Sequence, residues 1–311
     1  MAHVHHRSAP VVARMTRTIL GATLAVLMAA CGGSNTTDAG TPSGGPIRVV
    51  AAENVYGDIV SQIGGDHVTV TSILSDPNAD PHLYEPGTAN GAAVAQARLV
   101  IVNGLGYDSF MEKLLAASPD ASRKVVTIAD VLHISGADAN PHLWYDIPTI
   151  PDVAAAITDA LVELDPKDRD SFQQGRSSFV ASLKSLDDAV AELRRNDAGT
   201  PVAYTEPVPG YLLLAAGLKV ETPEAFALAI EEGTDPTPQA VSEMDALFTD
   251  RRIKALLYNS QATSPITEQL LNLAKENGIP VVPVTETLPP GLSFQRWQLN
   301  QVQALSAALT A

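Results

Sequence analysis

The sequence predicts an α/β protein with two lobes, each built on a mostly parallel sheet flanked by helices and joined by one long rigid helix. From Ile47 onwards, short runs rich in β-branched residues alternate with helical patterns, which is typical of a parallel sheet covered on both faces. An uninterrupted helical pattern then begins near Pro166, and the alternation resumes after Thr200. The predicted boundaries are an N-terminal lobe at residues 47–165, a linker helix at 166–195 and a C-terminal lobe at 196–311.

The strands of each predicted lobe are short and strongly apolar. Residues 99–102, for example, read Leu-Val-Ile-Val, which fits a strand that is buried on both faces. The strands expected in the N-terminal lobe are 47–52, 68–73, 99–103 and 124–128. Those expected in the C-terminal lobe are 202–205, 219–221, 254–258 and 281–285.

The linker helix carries a single apolar stripe. From Phe172 to Leu193, apolar residues recur at intervals of 7, 4, 3, 4 and 3 positions, which places them on one helix face. No proline interrupts residues 167–195, and a helix of that length would measure roughly 40 Å. The alternative is a pair of shorter helices broken at Gly175, the weakest helix former in the segment.

Residues 1–30 have the features of a signal peptide. Arginines at positions 7, 14 and 17 precede a mostly apolar run at 19–30, which is too short to span a bilayer comfortably. The run ends in small residues before Cys31, a pattern that resembles the lipobox of bacterial lipoproteins. We therefore expect a lipid anchor at Cys31 and an extracytoplasmic protein attached to the cell membrane. The alternative is a plain secretory signal with an incidental cysteine.

Composition narrows the partners of the mature chain. Residues 31–46 are mostly turn-forming and small polar residues, which are typical of a flexible tether. Cys31 is the only cysteine, so the chain forms no internal disulfide. The formal charge of −15 becomes −18 when residues 1–30, with three arginines and no acidic residue, are removed. This acidity argues against nucleic acid as a partner.

Two histidines lie in near-identical loops. Residues 80–84 read Asp-Pro-His-Leu-Tyr and residues 140–144 read Asn-Pro-His-Leu-Trp, so that His82 and His142 each follow a proline. Proline stiffens the loop, and a histidine held in this way loses little entropy on binding a metal. The alternative is a pair of structural histidines, and we favour that interpretation for His67 and His133.

Two acidic residues follow predicted strands of the second lobe. Glu206 comes after strand 202–205 and Glu286 after strand 281–285. Ligands of open α/β sheets bind beyond the carboxyl ends of the strands, although a carboxylate there is more often solvated or a helix cap. Two imidazoles and two carboxylates would suit one divalent ion of zinc, manganese or iron, but not copper(I), which prefers sulfur.

Three motifs resemble the zinc/manganese receptor family, the cluster A-I solute-binding lipoproteins of metal ABC importers. They are residues 76–86, with Asp-Pro-His-Leu-Tyr-Glu-Pro at their end, residues 103–107 (Asn-Gly-Leu-Gly-Tyr) and residues 140–144. The resemblance implies two α/β lobes with the metal buried between them and His82, His142, Glu206 and Glu286 as ligands. Tyr211 supports the register of Glu206, which in relatives is glutamate or histidine. Glu286 falls where relatives often carry aspartate.

The resemblance also implies the function: capture of one zinc or manganese ion in the interlobe cleft and its delivery to an ABC permease by a monomeric, non-enzymatic receptor. Many zinc-dedicated relatives carry a histidine-rich acidic loop between the two histidine ligands. In this chain, residues 128–140 contain a single histidine, His133. This difference favours manganese, although the same site would bind zinc more tightly. The alternatives are a receptor for an iron chelate or cobalamin, a metal-dependent hydrolase, and an adhesin.

Overall fold

The computed structural model describes residues 45–136 and 138–310, so the predicted signal peptide, Cys31 and most of the tether lie outside the described residues. The N-terminal strands are β1 (Ile47–Glu53), β2 (Val68–Leu74), β3 (Leu99–Val102) and β4 (Lys124–Thr127). The helices of the N-terminal lobe are α1 (Asn54–Gly64), α2 (Thr88–Gln96), α3 (Phe110–Ala117), α4 (Ile128–Val131) and α5 (Ile150–Leu164). Among the described residues, no helix is both long and apolar enough to cross a bilayer.

Two further helices, α6 (Arg169–Ser182) and α7 (Lys184–Asp197), connect this lobe to the next. The C-terminal strands are β5 (Pro201–Tyr204), β6 (Lys219–Val220), β7 (Leu256–Asn259) and β8 (Val281–Val284). The helices of the C-terminal lobe are α8 (Gly210–Ala215), α9 (Glu224–Glu231), α10 (Pro238–Thr249), α11 (Pro265–Asn277) and α12 (Phe294–Thr310).

Within the described part of the chain, each lobe contains one four-stranded sheet whose pairings are all parallel. The strand orders are β2-β1-β3-β4 and β6-β5-β7-β8, and helices flank both sheets. The predicted fold class is thus confirmed. β8 is an edge strand, which explains why it tolerates Pro283.

The sheet topology determines where a ligand can bind. In both lobes the chain runs outward from two central strands, β1 and β3 in one sheet and β5 and β7 in the other. Crossover connections leave these neighbouring strands in opposite directions, which opens a crevice at their carboxyl ends. Glu53, Asn103, Glu206 and Asn259 lie at or just beyond the ends of these four strands.

The linker is a long helix with a bend. The helix ends at Ser182 and restarts at Lys184, and the Leu183 N–H donates to the Val180 carbonyl oxygen at 3.1 Å, a contact of the tighter three-residue type. The six residues of the predicted stripe are all buried: Phe172, Phe179, Leu183, Leu186, Val190 and Leu193. Because α6 packs on α1 and α5 while α7 packs on α12, the bent helix contacts both lobes.

Gly175, where the sequence suggested a break, is a point of close approach. A Cβ atom at this position would lie 2.2 Å from the carbonyl oxygen of Ile63 on α1. The missing side chain allows the backbones of α1 and α6 to touch. The glycine therefore serves helix packing, and the bend lies elsewhere.

Hydrogen bonds also join α1 directly to the segment that follows β8. The Asn54 side chain donates to the Leu288 carbonyl oxygen at 2.8 Å and accepts from the Leu288 N–H at 2.8 Å. One turn later, an Asp58 carboxylate oxygen accepts from the Phe294 N–H at 2.9 Å. These hydrogen bonds fix the position of the segment after β8, and with it that of Glu286, relative to the N-terminal lobe.

We predict that Gly175→Ala destabilises the protein even though alanine is the better helix former. The added methyl group would force α6 away from α1, at a cost of about 1–3 kcal/mol. For a chain of this size, thermal unfolding should show a melting temperature lower by about 2–4 °C per kcal/mol. Ser177→Ala, on an exposed face of the same helix, is the control and should change stability by less than about 0.5 kcal/mol. Equal stability of the two variants would contradict the close packing of α1 and α6.

Candidate metal centre

The two motif histidines are held in turns of the same kind. Asp80 accepts the backbone N–H of His82 at 2.9 Å, and Asn140 accepts that of His142 at 3.0 Å, each across an intervening proline. This two-residue reach is the hydrogen bond of an Asx turn, so the repeated Asp/Asn-Pro-His sequence has a structural cause. The Asn140 Oδ1 atom also lies 2.8 Å from His142 Nδ1. That contact keeps the proton on Nδ1 and leaves Nε2 as the atom that faces the other lobe.

Three of the four predicted ligands converge on one point. His142 Nε2 lies 3.2 Å and His82 Nε2 lies 3.6 Å from the same oxygen, Oε2 of Glu286. Among the described residues, these three donor atoms form a group within 4.8 Å of one another. The side chains of His142 and Glu286 are fully buried, whereas that of His82 is 24% exposed and lies on the solvent side.

Glu206, the fourth predicted ligand, lies beside this group and not within it. It is buried, and Asn259 Nδ2 donates both to Glu206 Oε2 and, at 2.7 Å, to Glu286 Oε1. One amide thus links the two carboxylates. The second oxygen of Glu206, Oε1, is buried without a hydrogen-bond partner among the described residues. Glu206 therefore offers a free oxygen atom adjacent to the three converging ligands.

The position of Glu286 is fixed by its surroundings. Gln261 Oε1 accepts the backbone N–H groups of Glu286 at 2.7 Å and Thr287 at 3.0 Å. Tyr107 donates its hydroxyl proton to Glu286 Oε2 at 2.7 Å. Tyr145 donates to the preceding carbonyl oxygen, that of Thr285, at 2.6 Å. Two tyrosines of the N-terminal lobe therefore hold the loop that carries Glu286.

Charged side chains from the two lobes shift one another's pKa values at the centre. Burial alone would raise the pKa of Glu286, but the hydrogen bond and charge of His142, with the charge of His82, lower it to about 2. Burial likewise opposes the protonation of His142, but Glu231, Glu286 and Glu206 together raise its pKa. Burial and then the charge of Glu286 raise the pKa of Glu206 to about 8. The raised pKa favours the protonated form of Glu206, and a cation bound to this carboxylate would displace the proton.

Several residues of this site were not predicted as functional. Tyr107 belongs to the Asn-Gly-Leu-Gly-Tyr motif, but the motif alone gave no role for it. Asn259 is the last residue of β7, so the strand-end argument that identified Glu206 and Glu286 could have found it. Glu231, at the end of α9, brings a third carboxylate to the centre, with Oε1 3.9 Å from His142 Nε2. No strand-end pattern marks Glu231 in the sequence.

Glu53 is a buried acid behind this centre. It ends β1, is 2% exposed, and both of its carboxylate oxygens lack a hydrogen-bond partner among the described residues. Burial, followed by the charge of Asp108, raises the pKa of Glu53 well above its usual value. Glu53 in turn contributes to the raised pKa values of Tyr56 and Tyr107. Folding therefore favours the protonated, neutral form of Glu53.

Comparison with known proteins connects this geometry to a family. Residues 49–308 match the family described as ZnuA, zinc-uptake complex component A, periplasmic. Manganese-binding lipoprotein MntA of Halalkalibacterium halodurans is 29% identical over 168 residues, 53% of this chain and 55% of that protein. The iron ABC transporter substrate-binding lipoprotein MtsA of Streptococcus pyogenes is 25% identical over 313 aligned residues, 91% of this chain and 96% of that protein. The chain thus spans about half the length of the first relative and nearly all of the second.

Solved structures share the fold. The periplasmic zinc-binding protein TroA from Treponema pallidum superposes with a TM-score of 0.72 at 21% identity, covering 86% of this chain and 99% of that one. The SBP FpvC from Pseudomonas aeruginosa, in complex with Mn²⁺, gives a TM-score of 0.72 at 21% identity, covering 85% and 98%. Both similarities concern the two-lobe architecture.

We predict that Glu53→Gln stabilises the protein and that the gain grows with pH. A folded-state pKa above the unfolded one means that unfolding releases a proton, so stability contributed by the protonated acid is present at low pH and lost as pH rises. Glutamine keeps the shape without an ionisable group. Above neutral pH we expect a gain of about 1–3 kcal/mol, with about 2–4 °C in melting temperature for each kcal/mol.

Thermal unfolding of both proteins at about pH 5.5 and about pH 8.5 measures this difference. Glu192→Gln, at an exposed position of helix α7, is the control for loss of one negative charge and should show no pH-dependent gain. A Glu53→Gln effect that is equal at both pH values would contradict the raised pKa of Glu53.

Proposed function

The chain belongs to the family of zinc-uptake complex component A, and from that membership we propose which side chains bind its metal and how it is delivered. It is a metal-binding component of an ABC importer, and its ligand is one divalent metal ion. We propose His82, His142, Glu206 and Glu286 as the ligands of that ion.

The convergence of the two imidazole Nε2 atoms on Glu286 Oε2, at 3.2 Å and 3.6 Å, is the observation that carries this proposal. Ligands of one cation lie about 3–4 Å from one another, since each metal–ligand bond is about 2.0–2.2 Å long. Glu206 supplies a fourth ligand through Oε1, which has no other partner among the described residues. Loss of the Glu206 proton would make that oxygen anionic when the ion enters.

The two nitrogen and two carboxylate ligands suit zinc or manganese. A bare ion fits this site better than an iron chelate or cobalamin, because ligand atoms within 4.8 Å of one another leave no room for a chelator. We propose binding without catalysis, since both histidines face the same carboxylate as ligands and neither is placed as a general base beside it.

We propose that delivery requires only a small change in lobe geometry. The bent linker helix packs on both lobes, and α1 is hydrogen bonded to the segment after β8. A wide hinge motion would break both sets of contacts. Docking on the membrane permease would then release the ion through a modest shift of Glu286 relative to the two histidines.

We propose that the mature chain is a monomeric lipoprotein outside the cytoplasm, anchored through Cys31. Its relatives MntA and MtsA are described as lipoproteins, and Cys31 follows the signal-like segment at residues 1–30. An anchor of this kind keeps the receptor near its permease while the tether at 31–46 gives it reach.

We predict that Cys31→Ser releases the protein from the membrane fraction of expressing cells, because serine cannot carry the thioether-linked lipid. Cell fractionation with immunoblotting measures the distribution, and mass spectrometry of the mature protein measures the lipid. Ser34→Ala, close to the same processing site, is the control and should remain membrane-bound. A Cys31→Ser protein that fractionates like the wild type would contradict the anchor.

We predict that the double variant His82→Ala, His142→Ala loses metal-induced stabilisation. Ligand in 100-fold excess over Kd stabilises a folded protein by about 2.7 kcal/mol, which the wild type should show as a higher melting temperature with Zn²⁺ or Mn²⁺. The variant should show no such rise. His133→Asn is the matched control, because His133 is exposed and its φ of 55° is a conformation that asparagine tolerates.

The single variant His82→Ala keeps this test decisive if the double variant folds poorly, since His82 is the more exposed of the two ligands. Titration calorimetry gives the affinities directly. Unchanged affinity in the double variant would refute the ligand assignment.

A further inference from the structure

Glu231 brings a third carboxylate to the metal centre from an element that carries none of the other ligands. It is the last residue of α9, and its Oε1 lies 3.9 Å from His142 Nε2, the nitrogen that faces the converging ligands. Only 14% of its side chain is exposed. Its Oε2 is buried and has no hydrogen-bond partner among the described residues. The carboxylate thus lies beside the centre, next to His142, with one oxygen that has no hydrogen-bond partner in the described part of the chain.

The charge of Glu231 acts on the same groups as the charge of Glu286. It is the foremost of the charges that raise the pKa of His142 against the effect of burial. It also adds to the raised pKa values of Glu206 and Tyr107, where burial is the main cause and Glu286 the next. Glu231 therefore raises the pKa values of side chains from both lobes.

We propose that Glu231 is a further ligand of the bound ion and favours an ion that takes more than four ligands. This inference rests on the proposed function, in which His82, His142, Glu206 and Glu286 bind the ion. Two ligands of one ion with bonds of about 2.0–2.2 Å lie about 3 Å apart when adjacent and about 4.3 Å apart when opposite. The 3.9 Å between Glu231 Oε1 and His142 Nε2 falls within that span.

The coordination preferences of the two candidate ions make Glu231 selective. Zinc is satisfied by four tetrahedral ligands, which the other four residues supply. Manganese prefers carboxylate oxygens and higher coordination. A fifth protein ligand with a carboxylate oxygen therefore strengthens manganese binding more than zinc binding. It reduces the ratio by which the affinity for zinc exceeds the affinity for manganese.

A purely electrostatic role for Glu231 predicts different behaviour. If Glu231 only attracted positive charge, its loss would weaken the binding of Mn²⁺ and of Zn²⁺ by the same factor. Aspartate at this position would then give the same affinities as glutamate. If Glu231 only paired with protonated His142, its loss would ease deprotonation of that histidine and strengthen the binding of both ions. The ratio of the two affinities separates these roles from ligation.

The test compares mature wild-type protein with Glu231→Gln and Glu231→Asp at one fixed pH. Aspartate keeps the charge and withdraws the oxygens by one methylene. Electron paramagnetic resonance of free Mn²⁺ gives the manganese affinity, and competition with a chromophoric chelator gives the zinc affinity. Glu232→Gln is the matched control, because Glu232 is the exposed neighbour. Circular dichroism and the metal-free melting temperature establish that each variant is folded.

We expect both Glu231 variants to lose about tenfold or more in Mn²⁺ affinity, within the range for residues that shape a metal site, and less than about threefold in Zn²⁺ affinity. Glu232→Gln should match the wild type. Equal losses for the two ions, no loss, a gain, or wild-type behaviour of Glu231→Asp would each overturn the inference. A wild-type protein that binds neither ion would instead refute the proposed function, so the two failures are distinguishable.

Discussion

The buried carboxylate of Glu286 is held by partners from both lobes, and the architecture of the centre depends on that contact. Its side chain has no exposed surface, and its lowered pKa means that it carries a charge there. A buried charge is stable only when it is paired and hydrogen bonded. His142 and Tyr107 supply those contacts from the N-terminal lobe, and Asn259 supplies one from the C-terminal lobe. Separation of the lobes would leave the Glu286 charge uncompensated, so these contacts hold the two lobes together at the centre.

The segment that carries Glu286 is fastened again a few residues later. Asn54 binds both backbone groups of Leu288, and Asp58 binds the N–H of Phe294. The position of Glu286, a proposed ligand, is thereby coupled to α1, the helix on which the linker helix also packs through Gly175. A movement that opens the centre must shift this segment relative to α1.

The fold followed from the sequence because strand burial and helix periodicity are local properties, whereas several features of the site arise only from tertiary packing. The apolar stripe of the linker continues unchanged through Leu183, so nothing in its spacing indicated the bend. Gly175 had low helix propensity, but its close approach to α1 required the structure. Polar residues at strand ends were a usable signal, and the same reasoning extended to amides would have included Asn259. Glu231 ends a helix far along the chain, and only the folded arrangement brings it to His142.

The unpartnered acids of the centre show why affinity and stability oppose each other here. Glu53, Glu206 and Glu231 each have a buried oxygen without a hydrogen-bond partner among the described residues. Such groups are few in folded proteins, and each costs about 1–3 kcal/mol. An oxygen without a partner in the protein is available to a cation, which can supply the missing interaction. At Glu206, whose pKa is raised, a proton would occupy the place proposed for the ion. A substitution that gave the Glu206 or Glu231 oxygen a hydrogen-bond partner would stabilise the fold, and if these residues are ligands as proposed it would also weaken binding of the ion.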